Sequence, residues 1–413
     1  MDRMPEVRLS WKEAQKLQVL SEVKAGGRTQ VAAARVLGLS DRWIRTLLGR
    51  LRRDGAPGLA HGNRGRSPAH RLSATLRLKI VGFYRTKYQG FNLTHFREML
   101  EEREGMKPPC REMLRRILKD AGVWERRRDS PPHRLRRPRR EREGELLQVD
   151  ASIHRWLGEE EPLVALVGAI DDATGDVPFS AFFPQETAEA YFTILSEILR
   201  RRGVPQALYT DRDSAFVVNL SKEKQELASA QGQVPRTQFG RALKELGIEW
   251  IPAYSPQAKG RIERLWGTFQ DRLLRELKLE QIRTLPLAND YLRKRFLPRY
   301  NRRFRRPPAS LESAYRPPPA WGVRESILCF KESRVLARDH TFTLGGQAWQ
   351  VLPSPRIPAL TGKRVEVRQT LKGQVQAWLG PERLGLRLAP RVTRIPLKAA
   401  APPDYPVRGR VRW

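Results

Sequence analysis

Apolar residues recur at helical spacing from the start of the chain. Across residues 10–25, Leu17, Leu20 and Val23 fall on one face, and Gly26-Gly27 supplies a stop. Thr29 is placed to cap a second helix with Ala33, Val36 and Leu37 inward. Gly38-Leu39-Ser40 makes a tight turn, and Ser40 caps a third helix running to about residue 53. That helix buries Ile44, Leu47, Leu48 and Leu51 while showing Arg42, Arg45, Arg50, Arg52 and Arg53, a helix-turn-helix pattern with 41–46 as its base-reading end. Three helices packed without any nucleic-acid role share this spacing; the arginines on the exposed face argue against that reading.

A second helical set spans 73–124. Leu76, Ile80, Phe83 and Tyr84 form one stripe; Asn92-Leu93-Thr94 opens a helix with Phe96, Met99 and Leu100 inward. Pro108-Pro109-Cys110 precedes another, which buries Met113, Leu114, Ile117 and Leu118 and turns Arg111, Arg115, Arg116 and Lys119 outward. Between the two sets, His61-Gly-Asn-Arg-Gly-Arg-Ser-Pro68 cannot form a core. Its Gly-flanked Arg64 and Arg66 resemble an AT-hook, which lies flat in a narrow minor groove, and an ordinary basic linker fits equally well. Residues 126–140 hold eight arginines interrupted by prolines, too charged to fold alone, and read as a linker lying along phosphates.

From residue 146 the period changes to that of strands. Leu147 and Val149 alternate with Gln148 and Asp150, 163–170 is a continuous apolar run fit for a buried strand, and 177–183 makes a third. Asp171-Asp172-Ala-Thr-Gly175 is a tight turn between the last two. A helix (186–202), a strand (207–210), a helix ending at Leu246-Gly247, a short strand (248–252) and a long helix from about 258 complete the order β-β-β-α-β-α-β-α, which is the ribonuclease-H-like arrangement. Residues 217–236 are polar and weakly patterned, as in a mobile insertion. Ile262, Trp266, Phe269 and Leu273 form the core stripe of the last helix. Beyond it, 297–308 is basic with interleaved aromatics. The segments 335–336, 341–344, 348–352, 364–368 and 374–379 are short strands with Gly345-Gly346 and Lys372-Gly373 as turns, the pattern of a small SH3-like β-barrel.

Charge sharpens this outline. The 413 residues carry a formal net charge of +33. Lys and Arg counted against Asp and Glu give +20 for residues 1–140, −8 for 141–240 and +21 for 241–413. Two basic arms around an acidic middle point to a polyanionic partner gripped on either side of a cation site. Two cysteines, Cys110 and Cys329, exclude a disulfide framework and a Cys-x-x-Cys zinc site. No apolar run approaches the roughly 20 residues of a membrane span, so a cytoplasmic, nucleoid-associated protein is expected.

Three acids then stand out by position. Asp150 lies within the first strand, Asp211 just past the end of the fourth, and Glu263 in the first turns of the last helix. In a ribonuclease-H-like sheet strands one and four are adjacent, so the three carboxylates converge. An oxygen-only donor set suits hard Mg2+ or Mn2+, and two such ions activate an attacking hydroxyl and stabilise the leaving oxygen of a phosphodiester. Asp171 and Asp172 read as turn residues, and Asp213 competes with Asp211. Lys259, one turn before Glu263 on the same face, is either a phosphate contact or an ion-pair partner of Glu263. Gly260 permits close approach of a DNA backbone.

Tyr254-Ser-Pro-Gln-Ala-Lys-Gly-Arg-Ile-Glu263 resembles the loop and helix of DDE integrases and insertion-sequence transposases. With Gln148-Val-Asp-Ala-Ser-Ile-His-Arg-Trp156, Tyr209-Thr-Asp-Arg-Asp-Ser214 and Thr237-Gln-Phe-Gly-Arg-Ala-Leu-Lys-Glu-Leu-Gly-Ile-Glu-Trp250, the resemblance is nearest to ISNCY-type transposases. Members of the family often carry His where Asp213 stands, and Asn or His where Tyr254 stands. The resemblance implies Asp150, Asp211 and Glu263 as the catalytic triad and metal ligands. DNA contacts are expected from Lys259, Tyr254 and Gln257 in the core, and from Arg42, Arg45, Arg50, Arg64, Arg66, Arg111 and Arg115 in the arms.

The expected protein is a multidomain α+β chain: a helix-turn-helix domain (1–60), an AT-hook-like linker (61–72), a second helical DNA-binding domain (73–125) and an Arg/Pro-rich linker (126–144). A ribonuclease-H-like core (145–280), a basic helical connector (281–325), a small β-barrel (326–390) and a basic tail (391–413) follow. The expected partner is double-stranded DNA, both element ends and target, with a homodimer or homotetramer assembled on it and no membrane. A transcriptional regulator would need only the helix-turn-helix units. A metal-dependent nuclease or resolvase would need the acids but not both arms.

Overall fold

Alternate residues of one strand, Leu147 and Val149 on one side and Gln148, Asp150 and Ser152 on the other, divide the core of the protein into two layers. A computed structural model describes residues 9–63, 72–125, 137–211, 237–252, 260–352 and 360–389. They fall into two compact units, Met1–Gly82 and Phe83–Trp413, taken in turn below.

In the first unit, α1 (Trp11–Lys24), α2 (Gln30–Leu37) and α3 (Asp41–Asp54) pack around Leu20, Ala33, Ile44, Leu47 and Leu48. The expected caps are present. Thr29 Oγ1 accepts from Ala32 N at 3.2 Å and Ser40 Oγ from Trp43 N at 3.3 Å. Gly38, with φ of 65°, ends α2 in the left-handed conformation that the short turn to α3 requires. A capping box adds Glu13, whose carboxylate accepts from Ser10 N and also from His61 N, both at 2.8 Å.

In the second unit, β1 (Leu146–His154), β2 (Val164–Asp171), β3 (Ser180–Phe183), β4 (Ala207–Thr210) and β5 (Glu249–Pro252) form one sheet in the order β3-β2-β1-β4-β5. The first three strands are antiparallel; β1–β4 and β4–β5 are parallel. Strands one and four are therefore neighbours. All eight residues of β2 are buried because both faces are covered. On one face lie α7 (Ala188–Arg201) and α8 (Gln238–Glu245), packed on Leu147, Val149, Ala165 and Val167. On the other lie α9 (Gly260–Leu279) and a long bent helix, α10 (Leu285–Tyr291) continuing through a π-helical turn into α11 (Leu297–Phe304), packed on Leu166, Ile170 and Phe182. The apolar run beginning at 177 becomes a strand only from Ser180, because Asn301 takes the edge of the preceding residues, its amide bonding both N and O of Val177 at 2.9 Å.

Helices α4 (Ala74–Thr86), α5 (Leu93–Glu102) and α6 (Arg111–Asp120) precede the sheet. Helix α5 docks on α9 and α11 through buried charge. Arg272 pairs with Glu98 at 2.6 Å, Arg303 reaches the same carboxylate at 2.6 Å, and His95 Nε2 lies 2.9 Å from Glu276. Several arginines of the basic connector are thus neutralised by the protein's own acids: Arg299 by Glu276, Arg303 by Glu98 and Arg305 by Glu143.

After α12 (Trp321–Ile327) come β6 (Cys329–Val335), β7 (Thr341–Leu344), β8 (Gln347–Val351), β9 (Arg364–Thr370), β10 (Val375–Leu379), β11 (Glu382–Leu384) and β12 (Leu386–Leu388). They enclose Phe342, Val351, Val365, Val367 and Ala377. The expectation of a closed barrel is not met among the described residues: the strands form two sheets, β11-β10-β9-β6 and β12-β8-β7. The chain crosses from one to the other at Gly385, whose carbonyl accepts from Leu352 N at 2.8 Å. This module is held to the core by Gln238, whose amide pairs with both O and N of Lys331 at 2.7 and 3.0 Å. No described helix is long and apolar enough to cross a membrane.

Candidate active site

The register of two strands sets the first pair of acids. Gln148 of β1 is the partner of Tyr209 of β4 in a parallel ladder. Asp150 lies two residues further along β1, and Asp211 two residues past Tyr209, just beyond the end of β4, so both acids follow a paired position on strands about 4.8 Å apart. Both side chains are half-buried.

The third acid arrives on α9, which runs along the Gln148, Asp150, Ser152 face of β1. Ile262 N donates to Gln148 Oε1 at 3.2 Å, Trp266 Nε1 to Asp150 Oδ2 at 3.2 Å, and Gln270 Nε2 to Ser152 Oγ at 3.3 Å. A step of four residues on a helix is about 6 Å and two residues on a strand about 6.7 Å, so the two elements stay in step over three contacts. Glu263 stands three residues before Trp266, on the adjoining ridge of α9, and is exposed. The Gln148 contact also satisfies one of the N–H groups that a helix start leaves without an intrahelical partner.

Gln148 is fully buried, and its other amide atom, Nε2, donates to Asp172 Oδ1 at 2.9 Å. Asp171 and Asp172 do sit in the turn expected of them. Asp171 Oδ1 closes it by accepting from N and Oγ1 of Thr174, both at 2.8 Å, while Oδ2 accepts from Gly144 N at 2.8 Å. Burial raises the Asp171 carboxyl above its ordinary value, and these hydrogen bonds oppose the rise.

On the α7 side, the buried Tyr191 hydroxyl donates to Glu186. Its phenol is pushed far up, first by burial, then by the charge of Glu186 and its hydrogen bond, and further by the charges of Asp150 and Asp211. Glu186 is thus held by a phenol that also feels the charges of the two strand acids. Among the described residues no three acidic, His or Cys side chains are already drawn to metal-coordinating separation.

Trp266, Gln148, Tyr191 and Glu186 were not singled out as site residues by sequence. Trp266 fits the apolar stripe of α9 and is indeed buried, yet its indole N–H faces the strand acid. A polar amide at an alternate position of a strand between apolar neighbours was the available signal for Gln148.

Of the expected DNA-contacting residues, Arg42 and Arg45 are exposed on α3, and Arg50 is half-buried with its guanidinium 5.2 Å from the Trp43 ring. Arg111 is exposed at the start of α6, whereas Arg115 is engaged by Glu112 through two hydrogen bonds of 2.8 and 2.6 Å. Lys259, Tyr254, Gln257, Arg64, Arg66 and Asp213 lie outside the described residues.

Two proteins of known designation are similar in sequence. One is y4bF of Sinorhizobium fredii (strain NBRC 101917 / NGR234), designated a transposase, 37% identical over 376 residues, covering 91% of this chain and 80% of that protein. The other is the transposase for insertion sequence IS1202 of Streptococcus pneumoniae, 33% identical over 314 residues, covering 68% of this chain and 66% of that protein. No protein-family model matches the chain. Among solved structures, the HTLV-2 integrase catalytic core domain in complex with magnesium has a TM-score of 0.25 at 18% identity, covering 37% of this chain and 86% of its own. A simian T-cell lymphotropic virus intasome in complex with PP2A regulatory subunit B56 gamma has a TM-score of 0.31 at 16% identity, covering 68% and 93%. By its sequence relatives, the chain belongs to the transposases.

Proposed function

We propose that Asp150, Asp211 and Glu263 are the catalytic acids of this transposase, acting on the ends of an insertion element and then on target DNA. The observation that supports the reading is the pairing of Gln148 with Tyr209 on adjacent parallel strands, each two residues before an aspartate, together with the hydrogen bonds that hold the start of α9, the helix of Glu263, along the same face of β1. Three carboxylates with no sulfur or imidazole fit Mg2+ or Mn2+, and we assign two ions to the set. Such ions, when bound, supply activation of the attacking hydroxyl and stabilisation of charge on the leaving oxygen.

The chain's own residues orient the acids. Trp266 fixes the rotation of the Asp150 carboxylate, Gln148 fixes the start of α9, and Tyr191 holds Glu186 by a proton that burial keeps in place. Water attacks the phosphodiester at the element end and releases a 3′-hydroxyl; that hydroxyl attacks a target phosphodiester and displaces its 3′-oxygen. No protein side chain becomes covalently attached.

The helices α1 to α3 and α5 to α6 are the helix-turn-helix readers of the element's terminal inverted repeats in this proposal. Arg42, Arg45 and Arg50 act from α3 and Arg111 and Arg115 from α6, with Lys259, Tyr254, Gln257, Arg64 and Arg66 as further contacts. The sequence type is that of the ISNCY transposases. Two DNA ends need two active sites, so the protein works as a dimer or tetramer on DNA. Changing Glu263→Gln tests the central assignment: binding to terminal-repeat DNA persists while Mg2+-dependent joining to a plasmid target disappears. Full joining by that variant would remove Glu263 from the acid set.

A further inference from the structure

The turn residue Asp172 holds together parts of the chain that the triad does not touch. Its carboxylate is completely buried. Oδ1 is paired with the Arg137 guanidinium, with Gln148 Nε2 at 2.9 Å and with Arg261 Nε at 2.9 Å; Oδ2 accepts from Arg140 N at 2.9 Å. The same segments are tied a second time. Arg261 Nη2 donates to the carbonyls of Arg137 and Pro138 at 3.1 and 3.0 Å, and Arg139 Nη1 to those of Asp172 and Ala173 at 3.2 and 3.1 Å.

Arg261 and Ile262 immediately precede Glu263. One is anchored to Asp172 directly and the other through Gln148. Arg137 and Arg140 belong to the basic segment that leads from α6 into the core. A buried ion-pair cluster that merely closes the fold would satisfy its charges within the turn. Here the partners come instead from the segment entering the core and from the first turn of the helix that carries the third acid. An exposed glutamate takes its position from the helix turn it stands on, and that turn is held at this point.

We propose that Asp172 is a positioning residue for Glu263, and that Arg137 makes the segment entering the core part of that positioning. This rests on the reading of Glu263 as the third acid. Placement errors of about 1 Å at a reacting centre lower rates by up to about a hundredfold, so loss of the anchor is read in turnover rather than in affinity for DNA.

The experiment uses the full chain with labelled element-end DNA and a plasmid target. Asp172→Asn removes the charge, and Arg137→Gln, at the half-exposed rim of the cluster, is the milder variant that folds even where Asp172→Asn does not. The expected result is a fall in the joining rate of about ten- to a hundredfold. Affinity for the end is unchanged in Asp172→Asn, and more Mg2+ is needed for half-maximal rate in both variants. The result that overturns the proposal is joining that falls only in proportion to the folded fraction, with the Mg2+ requirement of the unaltered protein. Glu263→Gln is run in parallel. If it joins DNA normally, the triad reading has failed; if it is inactive while Arg137→Gln keeps the normal rate and Mg2+ requirement, only the positioning role has failed.

Discussion

The indole N–H of Trp266 donates to Oδ2 of Asp150 at 3.2 Å, so a residue of the helix stripe that fills the core also sets the rotation of a strand carboxylate. Trp266→Phe keeps an aromatic ring against Phe269 and removes the donor. The loss of a hydrogen bond to a charged group predicts about 1.5–3 kcal/mol less stability in urea unfolding. Joining falls more than that loss alone accounts for at temperatures where the variant is fully folded. Unchanged joining in Trp266→Phe would show that the Asp150 rotamer is set elsewhere.

Tyr191 stays protonated in the folded protein well above the ordinary tyrosine range, because burial, Glu186 and the two strand aspartates all disfavour its anion. The sign follows from linkage. A group raised on folding stabilises fully below its unfolded value of about 10 and loses that contribution as pH rises beyond it, by about 1.4 kcal/mol per pH unit. Stability therefore falls above pH 10 (approximately the free tyrosine value) less steeply in Tyr191→Phe than in the unaltered protein. Equal slopes for the two, measured as urea midpoints across the alkaline range, contradict the burial of this phenol.

Glu276 behaves in the opposite sense. Burial alone pushes its carboxyl up, but the hydrogen bond from His95, the charge of Arg299 and the Tyr291 hydroxyl, which donates at 2.6 Å, hold it below the usual glutamate value. Arg103 reaches the same group through its bond to Tyr291 at 3.1 Å. A depressed carboxylate stabilises above its unfolded value of about 4.3 and loses that contribution as pH falls through its folded value. An acid-side loss of thermal stability beginning below about pH 4.5 is expected, and it is reduced in Glu276→Gln, which is less stable at neutral pH. An acid limb of unaltered depth in that variant assigns the transition to other carboxylates.

These three residues mark where sequence stops being informative. The alternation at 147–152 and the apolar run of β2 announce a sheet with two covered faces, and the element order places strands one and four together, because periodicity records which side of a strand is buried. Periodicity does not record what a polar group meets there. Asp172 is legible as a turn residue, but its carboxylate meets partners 35 and 24 residues away in the chain. Trp266 is legible as core, and the direction of its N–H is not. The strands β11 and β12, three residues each, are too short to show a period, and the parting of these strands into two sheets is not written in the alternation.

Arg111 and Arg115 look equivalent in sequence, one turn apart on α6, and the structure separates them. Both line a groove with Trp124, Asp271 and Arg275, but Glu112 already occupies the Arg115 guanidinium at 2.6 and 2.8 Å, while Arg111 has no ion-pair partner among the described residues. A phosphate contact from Arg115 must first give up that pair, whereas one from Arg111 displaces only water and counterions. Each phosphate contact contributes about 0.9 to the slope of log affinity against log salt. Arg111→Ala is thus expected to weaken binding to element-end DNA and to lower the slope by about one contact. Arg115→Ala is expected to lower it by less, and Glu112→Ala, which releases Arg115, to raise it. Fluorescence anisotropy titrations over a series of salt concentrations give the three slopes. A larger loss for Arg115→Ala than for Arg111→Ala would mean that the Glu112 pair opens on DNA and that Arg115 is the principal contact of α6.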